Sequence, residues 1–146
     1  MSLTDIRRNS RRHAFALIYQ IPFHENYDAE TLAEAYTDYL AALEDDEEGV
    51  SKELDSAYMI RILSGVLDKL EDIDGVIGKH LKDWRIERIS RMDLAVLRLG
   101  VYELLYMEDI PAGATINEAV ELAKQYGTDE SYAFVNGVLG RVSDDA

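Results

Sequence analysis

Four arginines crowd the start of this chain, Arg7, Arg8, Arg11 and Arg12, with Asp5 the one acid among the first twenty residues. The sequence as a whole has 146 residues and a net charge of −14. Guanidinium groups grip phosphate through parallel N–H bonds, and the free N–H groups of a helix start assist them. An acidic body repels nucleic acid, so any contact with phosphate has to be made by this one basic segment. Arginines in a first helical turn oppose the helix dipole, at about a few tenths of a kcal/mol each, so they are not placed there to stabilise the helix. A solvated basic tail that offsets acidic neighbours is the competing reading, and the segment by itself leaves both open.

The remaining residue types with chemical potential form no constellation. His13, His24 and His80 are scattered, with no second ligand at metal-binding spacing. No cysteine is present, which excludes disulfides, thiolate metal sites and thiol nucleophiles together. Glycines make no phosphate-cradling loop, and no serine stands in a nucleophile elbow. Asp72-Ile73-Asp74-Gly75 superficially resembles a calcium loop, but aligning Gly75 to the required glycine puts Leu70 and Leu81 at ligand positions. It reads instead as a helix cap. The sequence therefore predicts no enzymatic activity, no cofactor and no metal. The N-terminus lacks an apolar signal-peptide core and no stretch is long and apolar enough for a span, so a cytoplasmic protein is expected.

The element that must position the arginines is Met92–Met107, apolar nearly all round except for Asp93, Arg98 and Glu103. A helix of that kind has to be wrapped by others. Before it, residues 5–21 form a helix with Ala14, Leu17, Ile18 and Ile21 on one face, ended by Pro22. Ser10 is a candidate cap for it, which would leave Arg7 and Arg8 on a preceding arm. A second helix is expected over 28–43, with Leu32, Tyr36, Tyr39, Leu40 and Leu43 inward, then the acidic loop 44–49. Ser51 can cap a third helix to Leu70, with Leu54, Tyr58, Ile62 and Val66 in register, and a short fourth follows to Leu81. Trp84 reads as a packing anchor. After the loop at Pro111, Thr115-Ile116-Asn117-Glu118 has the form of a capping box, opening a two-faced helix that Gly127 stops. A last helix turns Phe134, Val135, Val138, Leu139 and Val142 inward, and the tail 144–146 is expected to fray. The fold expected is all-α: about seven helices in one domain, as two small bundles (residues 1–71 and 72–146) sharing a core around the central helix.

Arg98 and Glu103 interrupt that central helix, and a buried charge must find a partner. Glu118 and Asn117 are the expected partners, forming a polar link from the central helix to the Thr115 helix.

Several blocks together resemble the NusB family of bacterial transcription antitermination factors. Arg11-Arg12-His13-Ala14 through Ile18-Tyr19-Gln20 is similar to its basic opening helix. Trp84-Arg85-Ile86, Met92 to Leu99 and Tyr102-Glu103 are similar to its middle. Ile110-Pro111, Ile116 to Ala119, Leu122-Ala123-Lys124, Gly127 and Phe134 to Leu139 are similar to its last third. The resemblance implies a non-enzymatic protein that binds boxA RNA together with the ribosomal protein NusE and helps assemble an antitermination complex on RNA polymerase. It implies that Arg7, Arg8, Arg11 and Arg12 meet RNA phosphates, with Glu130 and Ser131 in the 128–134 turn nearby. Bases would be splayed onto aromatics such as Tyr19, Tyr132 or Phe134, for which core packing is the alternative. Where the family often carries a lysine before the Phe-Val-Asn-Gly run, this chain has Ala133. With the acidic body, that implies weak RNA binding by the chain alone and a small salt dependence of its own. Two other readings remain: the RNA-binding portion of an RNA cytosine methyltransferase, which would need a catalytic domain beside it, or a purely protein-binding adaptor.

Overall fold

The computed structural model describes residues 2–21, 54–82 and 85–146, and the separate positions 34, 37, 38, 41 and 42. The inner face expected for 28–43, the acidic loop, Ser51 and Trp84 lie outside the described residues.

Six α-helices have both ends among the described residues, and no strand occurs among those residues: α1 (Leu3–Ile18), α2 (Ser56–Asp68), α3 (Leu70–Lys79), α4 (Arg91–Tyr106), α5 (Ala112–Tyr126) and α6 (Ser131–Asp145). A 3-10 turn, Ile86–Arg88, precedes α4. The all-α expectation holds, and the expected central helix is α4. Every residue from Leu94 to Glu103 is buried, and α4 packs against all five other helices. One core runs through all six, drawing on the inner faces expected of them: Ala14, Leu17, Ile18 and Ile21; Tyr58, Ile62 and Val66; Val135, Val138, Leu139 and Val142. No helix among the described residues is long and apolar enough to cross a membrane.

The helix ends differ from expectation, and each difference moves a functional side chain. α1 starts at Leu3 behind a capping box in which Ser2 Oγ accepts from the Asp5 N–H at 3.1 Å and the Asp5 carboxylate accepts from Ser2 N. Arg7 and Arg8 are thus inside the helix, not on an arm. Ser10 is buried: its hydroxyl donates to the Ile6 carbonyl at 2.8 Å and accepts from Asp55 N at 2.7 Å, fastening α1 to the start of α2. Asp55, whose carboxylate accepts from Tyr58 N, is the cap of α2. The break before α3 falls at Lys69, so Asp72 to Gly75 lie within a helix rather than capping one.

Pro111 sets the start of α5 a turn before Thr115, its carbonyl accepting from the N–H groups of Ala114 and Thr115. Its φ of −58° suits that place. Thr115 is therefore a buried interior residue, and the expected capping box does not form. Gly127 follows α5 in an extended conformation, φ −95° and ψ −166°, instead of the left-handed one a C′ glycine usually supplies. Its lack of a side chain is what counts, because a Cβ there would lie 2.5 Å from Ser131 Oγ and 2.7 Å from the Ala123 carbonyl. The last helix reaches Asp145, so the tail expected to fray is helical up to its last residue. His80, at the end of α3, bridges the Val76 carbonyl and the Asp145 carboxylate through its two ring nitrogens at 2.7 and 2.5 Å.

Candidate nucleic-acid interface

Because α1 is helical from Leu3, its four arginines meet four different surroundings. Arg7 turns toward α2, where Nη2 donates to Asp55 at 3.2 Å and the guanidinium lies over the Tyr58 ring. Arg11 is 6% exposed. Its Nε and Nη2 fork onto the Glu103 carboxylate at 2.9 Å each. Burial works against the Arg11 charge, but the hydrogen bonds and charge of Glu103 outweigh it and raise its pKa. Arg8 forks onto Glu118 of α5, Nη2 to Oε1 at 2.9 Å and Nε to Oε2 at 3.2 Å. Arg12 is exposed and has no carboxylate partner among the described residues. Three of the four guanidiniums offered to phosphate are thus engaged by the protein's own carboxylates.

Glu103 gathers four helices around one carboxylate. Besides Arg11 from α1, it accepts from the Tyr58 hydroxyl of α2 at 2.8 Å and from the Thr115 hydroxyl of α5 at 3.1 Å. Burial, then the Glu103 charge, pushes the Tyr58 phenol well above its ordinary range. The expected link from the central helix to the Thr115 helix is made by Glu103, but to Thr115 itself rather than to Asn117 or Glu118. Five positions apart on a helix, Arg98 and Glu103 point about 140° from each other, so they cannot share a partner. Arg98 instead forks onto Asp74 of α3 at 2.8 and 2.7 Å and donates to the Ile21 carbonyl at 2.8 Å. Asn117 is exposed, and Glu118 belongs to Arg8. Arg11 fixes α1 against α4, a role that no local pattern signals, since its partner lies 92 residues away.

Between α1 and α5 lies an open cleft of about 650 Å³. Arg8, Arg11 and Arg12 stand on one wall; Asn117, Glu118, Glu121 and Gln125 stand on the other. Further along the same pair of helices, Phe15 stacks on Tyr126 at 5.2 Å, and Tyr19 follows, covered by the Arg91 guanidinium at 4.9 Å. Tyr126 is exposed on its other side. His13, half-buried beside Arg12, has its pKa lowered by burial and by that neighbouring charge.

Glu130 and Ser131 lie elsewhere, lining a smaller cavity of about 280 Å³ with Arg88, Asp93 and Phe134. Ser131 is buried, its hydroxyl accepting from Thr128 N at 3.0 Å, so it shapes the turn. Phe134 is half-buried against the core. Tyr132 is exposed, with Lys124 Nζ 5.5 Å from its ring centre. No cluster able to hold a metal ion occurs among the described residues.

A protein from Ruminiclostridium cellulolyticum named transcription antitermination protein NusB is 43% identical over 94% of this chain and 88% of its own length. The crystal structure of NusB from T. maritima matches with a TM-score of 0.72 at 35% identity, over 95% of this chain and 91% of that one. A crystal structure of the antitermination factors NusB and NusE in complex with double-stranded RNA shares the fold, with a TM-score of 0.69 at 24% identity over 95% and 96% of the two chains. The NusB family model itself matches residues 8–144, from the first clefted arginine into the last turn of the last helix, and the chain belongs to the NusB family.

Proposed function

We infer that this chain is a non-enzymatic, RNA-binding transcription antitermination factor. It binds boxA-type RNA together with NusE and takes its place in an antitermination complex on RNA polymerase. The observation that carries the reading is the pair of exposed guanidiniums, Arg8 and Arg12, one helical turn apart along an open cleft. Support comes from relatives that bear the name of antitermination proteins and from the NusB–NusE–RNA complex of the same fold. Two cations reaching phosphate release few counterions. A single strand held by them should show a salt slope near −1.4, at about −0.7 per phosphate.

The test is binding of labelled single-stranded boxA RNA by the chain with and without NusE, beside an R8A/R12A double variant. Expected are cooperative binding with NusE and its loss in the variant. Tight NusE binding with indifference to RNA would replace this reading with that of a protein-only adaptor.

A further inference from the structure

Arg8 does not stand in the cleft as a bare cation. Its Nε–H and Nη2–H donate side by side to the two oxygens of Glu118, at 3.2 and 2.9 Å. Arg8 is about half-exposed, whereas the Glu118 side chain is only 15% exposed. A phosphate that takes this same Nε–Nη2 edge strips Glu118 of its partner. The carboxylate would be left beside an incoming anionic strand, at the penalty of a poorly solvated acceptor without a donor. Asn117 and Gln125 on the same wall can offer single amide bonds, but neither reproduces a two-pronged donor edge.

One nucleobase does reproduce it. The Watson–Crick edge of guanine presents N1–H and N2–H side by side, the same paired donors that Arg8 presents. Adenine places an acceptor nitrogen beside its amino group, as does cytosine, and uracil offers one N–H between two carbonyls. Single-stranded RNA is read on these edges. The open cleft of about 650 Å³ is lined by the Arg8–Glu118 pair and by a second cation, Arg12, for the adjoining backbone.

We propose that the cleft between α1 and α5 is a guanine-selective nucleotide subsite in which Glu118 exchanges the fork of Arg8 for the N1–H and N2–H of the base while Arg8 passes to the neighbouring phosphate. The inference rests on the RNA-binding reading above. It makes Glu118 the specificity-determining residue of the interface and Arg8 its counter-ion in the free protein.

The test uses the full chain with NusE and four RNAs: a twelve-nucleotide oligouridylate carrying guanine, inosine, adenine or uracil at its centre. In that background only the central position changes its donor edge. The guanine RNA is expected to bind about tenfold tighter than the uracil RNA, the discrimination of one good two-pronged base contact. Inosine, which keeps N1–H and lacks N2–H, should fall between them, and adenine should match uracil. Glu118→Gln removes the charge that competes for Arg8. It should bind the uracil RNA more tightly than the native chain does and bring the guanine-to-uracil ratio close to one, with thermal unfolding unchanged. Equal binding of all four RNAs by the native chain, or a guanine preference that survives Glu118→Gln, overturns the subsite and leaves the RNA-binding reading standing. Binding of none of the four, nor of boxA RNA, ends both.

Discussion

Arg11 and Arg12 are consecutive in sequence and opposite in circumstance: Arg11 lies 2.9 Å from both oxygens of the buried Glu103, and Arg12 faces solvent along the α1–α5 cleft. One helical step of about 100° separates holding the fold from meeting a ligand. Arg11→Ala should destabilise the protein by about 3–5 kcal/mol, since it strands a buried carboxylate. Arg12→Ala should stay within about 0.5 kcal/mol of the native chain while weakening RNA binding and lowering the salt slope by about 0.7. Urea unfolding and RNA titration of the two variants check this. An Arg11 variant of native stability would remove the structural role given to it.

His13 reports on its neighbour. Its pKa lies below the ordinary 6.5 through burial and the Arg12 charge. The neutral ring therefore contributes stability above pH 6.5 that is lost as pH falls through the folded value. A phosphate seated on Arg12 screens that charge, so RNA should raise the His13 pKa, as should Arg12→Ala without RNA. The measurement is an NMR titration of the His13 ring with and without boxA RNA. A value that RNA leaves unmoved would place the strand away from Arg12.

Tyr58 gives the opposite sign. Its folded pKa is raised well above 10 by burial and then by Glu103, so its contribution is complete below pH 10 and is lost as pH rises through the folded value. Tyr58→Phe should cost about 1 kcal/mol at neutral pH and flatten the loss of stability above pH 10. Urea midpoints of the two proteins across alkaline pH make the comparison.

Periodicity was enough to place the core, because burial of one face repeats along each helix and needs no knowledge of partners. Ala14, Leu17, Ile18 and Ile21 share a face in the string and in space, and so do Tyr58, Ile62 and Val66. Partners of charged residues were not readable in the same way. Arg98 has Asp74 rather than Glu118, and Arg11 has Glu103, through contacts 24 and 92 positions away that no spacing rule specifies. Helix starts failed where two caps competed. Thr115 and Glu118 fit a capping box, but Pro111 opens α5 first, leaving Thr115 for Glu103 and Glu118 for Arg8. The basic strip was visible as composition; that most of it is already paired was not.

Gly127 closes α5 for want of space, not for want of a left-handed conformation, and this can be tested against a second glycine. A Cβ at Gly127 would meet the Ser131 hydroxyl and Cβ at 2.5 and 2.6 Å and the Ala123 carbonyl at 2.7 Å. The carbonyl belongs to the helix and cannot swing aside, so Gly127→Ala has to push the 128–131 turn outward. The expected cost is about 1–3 kcal/mol, the usual range for overpacking. At Gly113, in the first turn of α5, an added Cβ meets nothing within 4 Å, and Gly113→Ala should stabilise the helix by up to about 0.5–1 kcal/mol. Both φ values permit alanine, so a difference in sign between the two variants isolates crowding from backbone preference. Thermal unfolding of each supplies the comparison. If Gly127→Ala proved as harmless as Gly113→Ala, Ser131 would be free to move, and its bond to Thr128 N could not be what shapes the 128–131 turn.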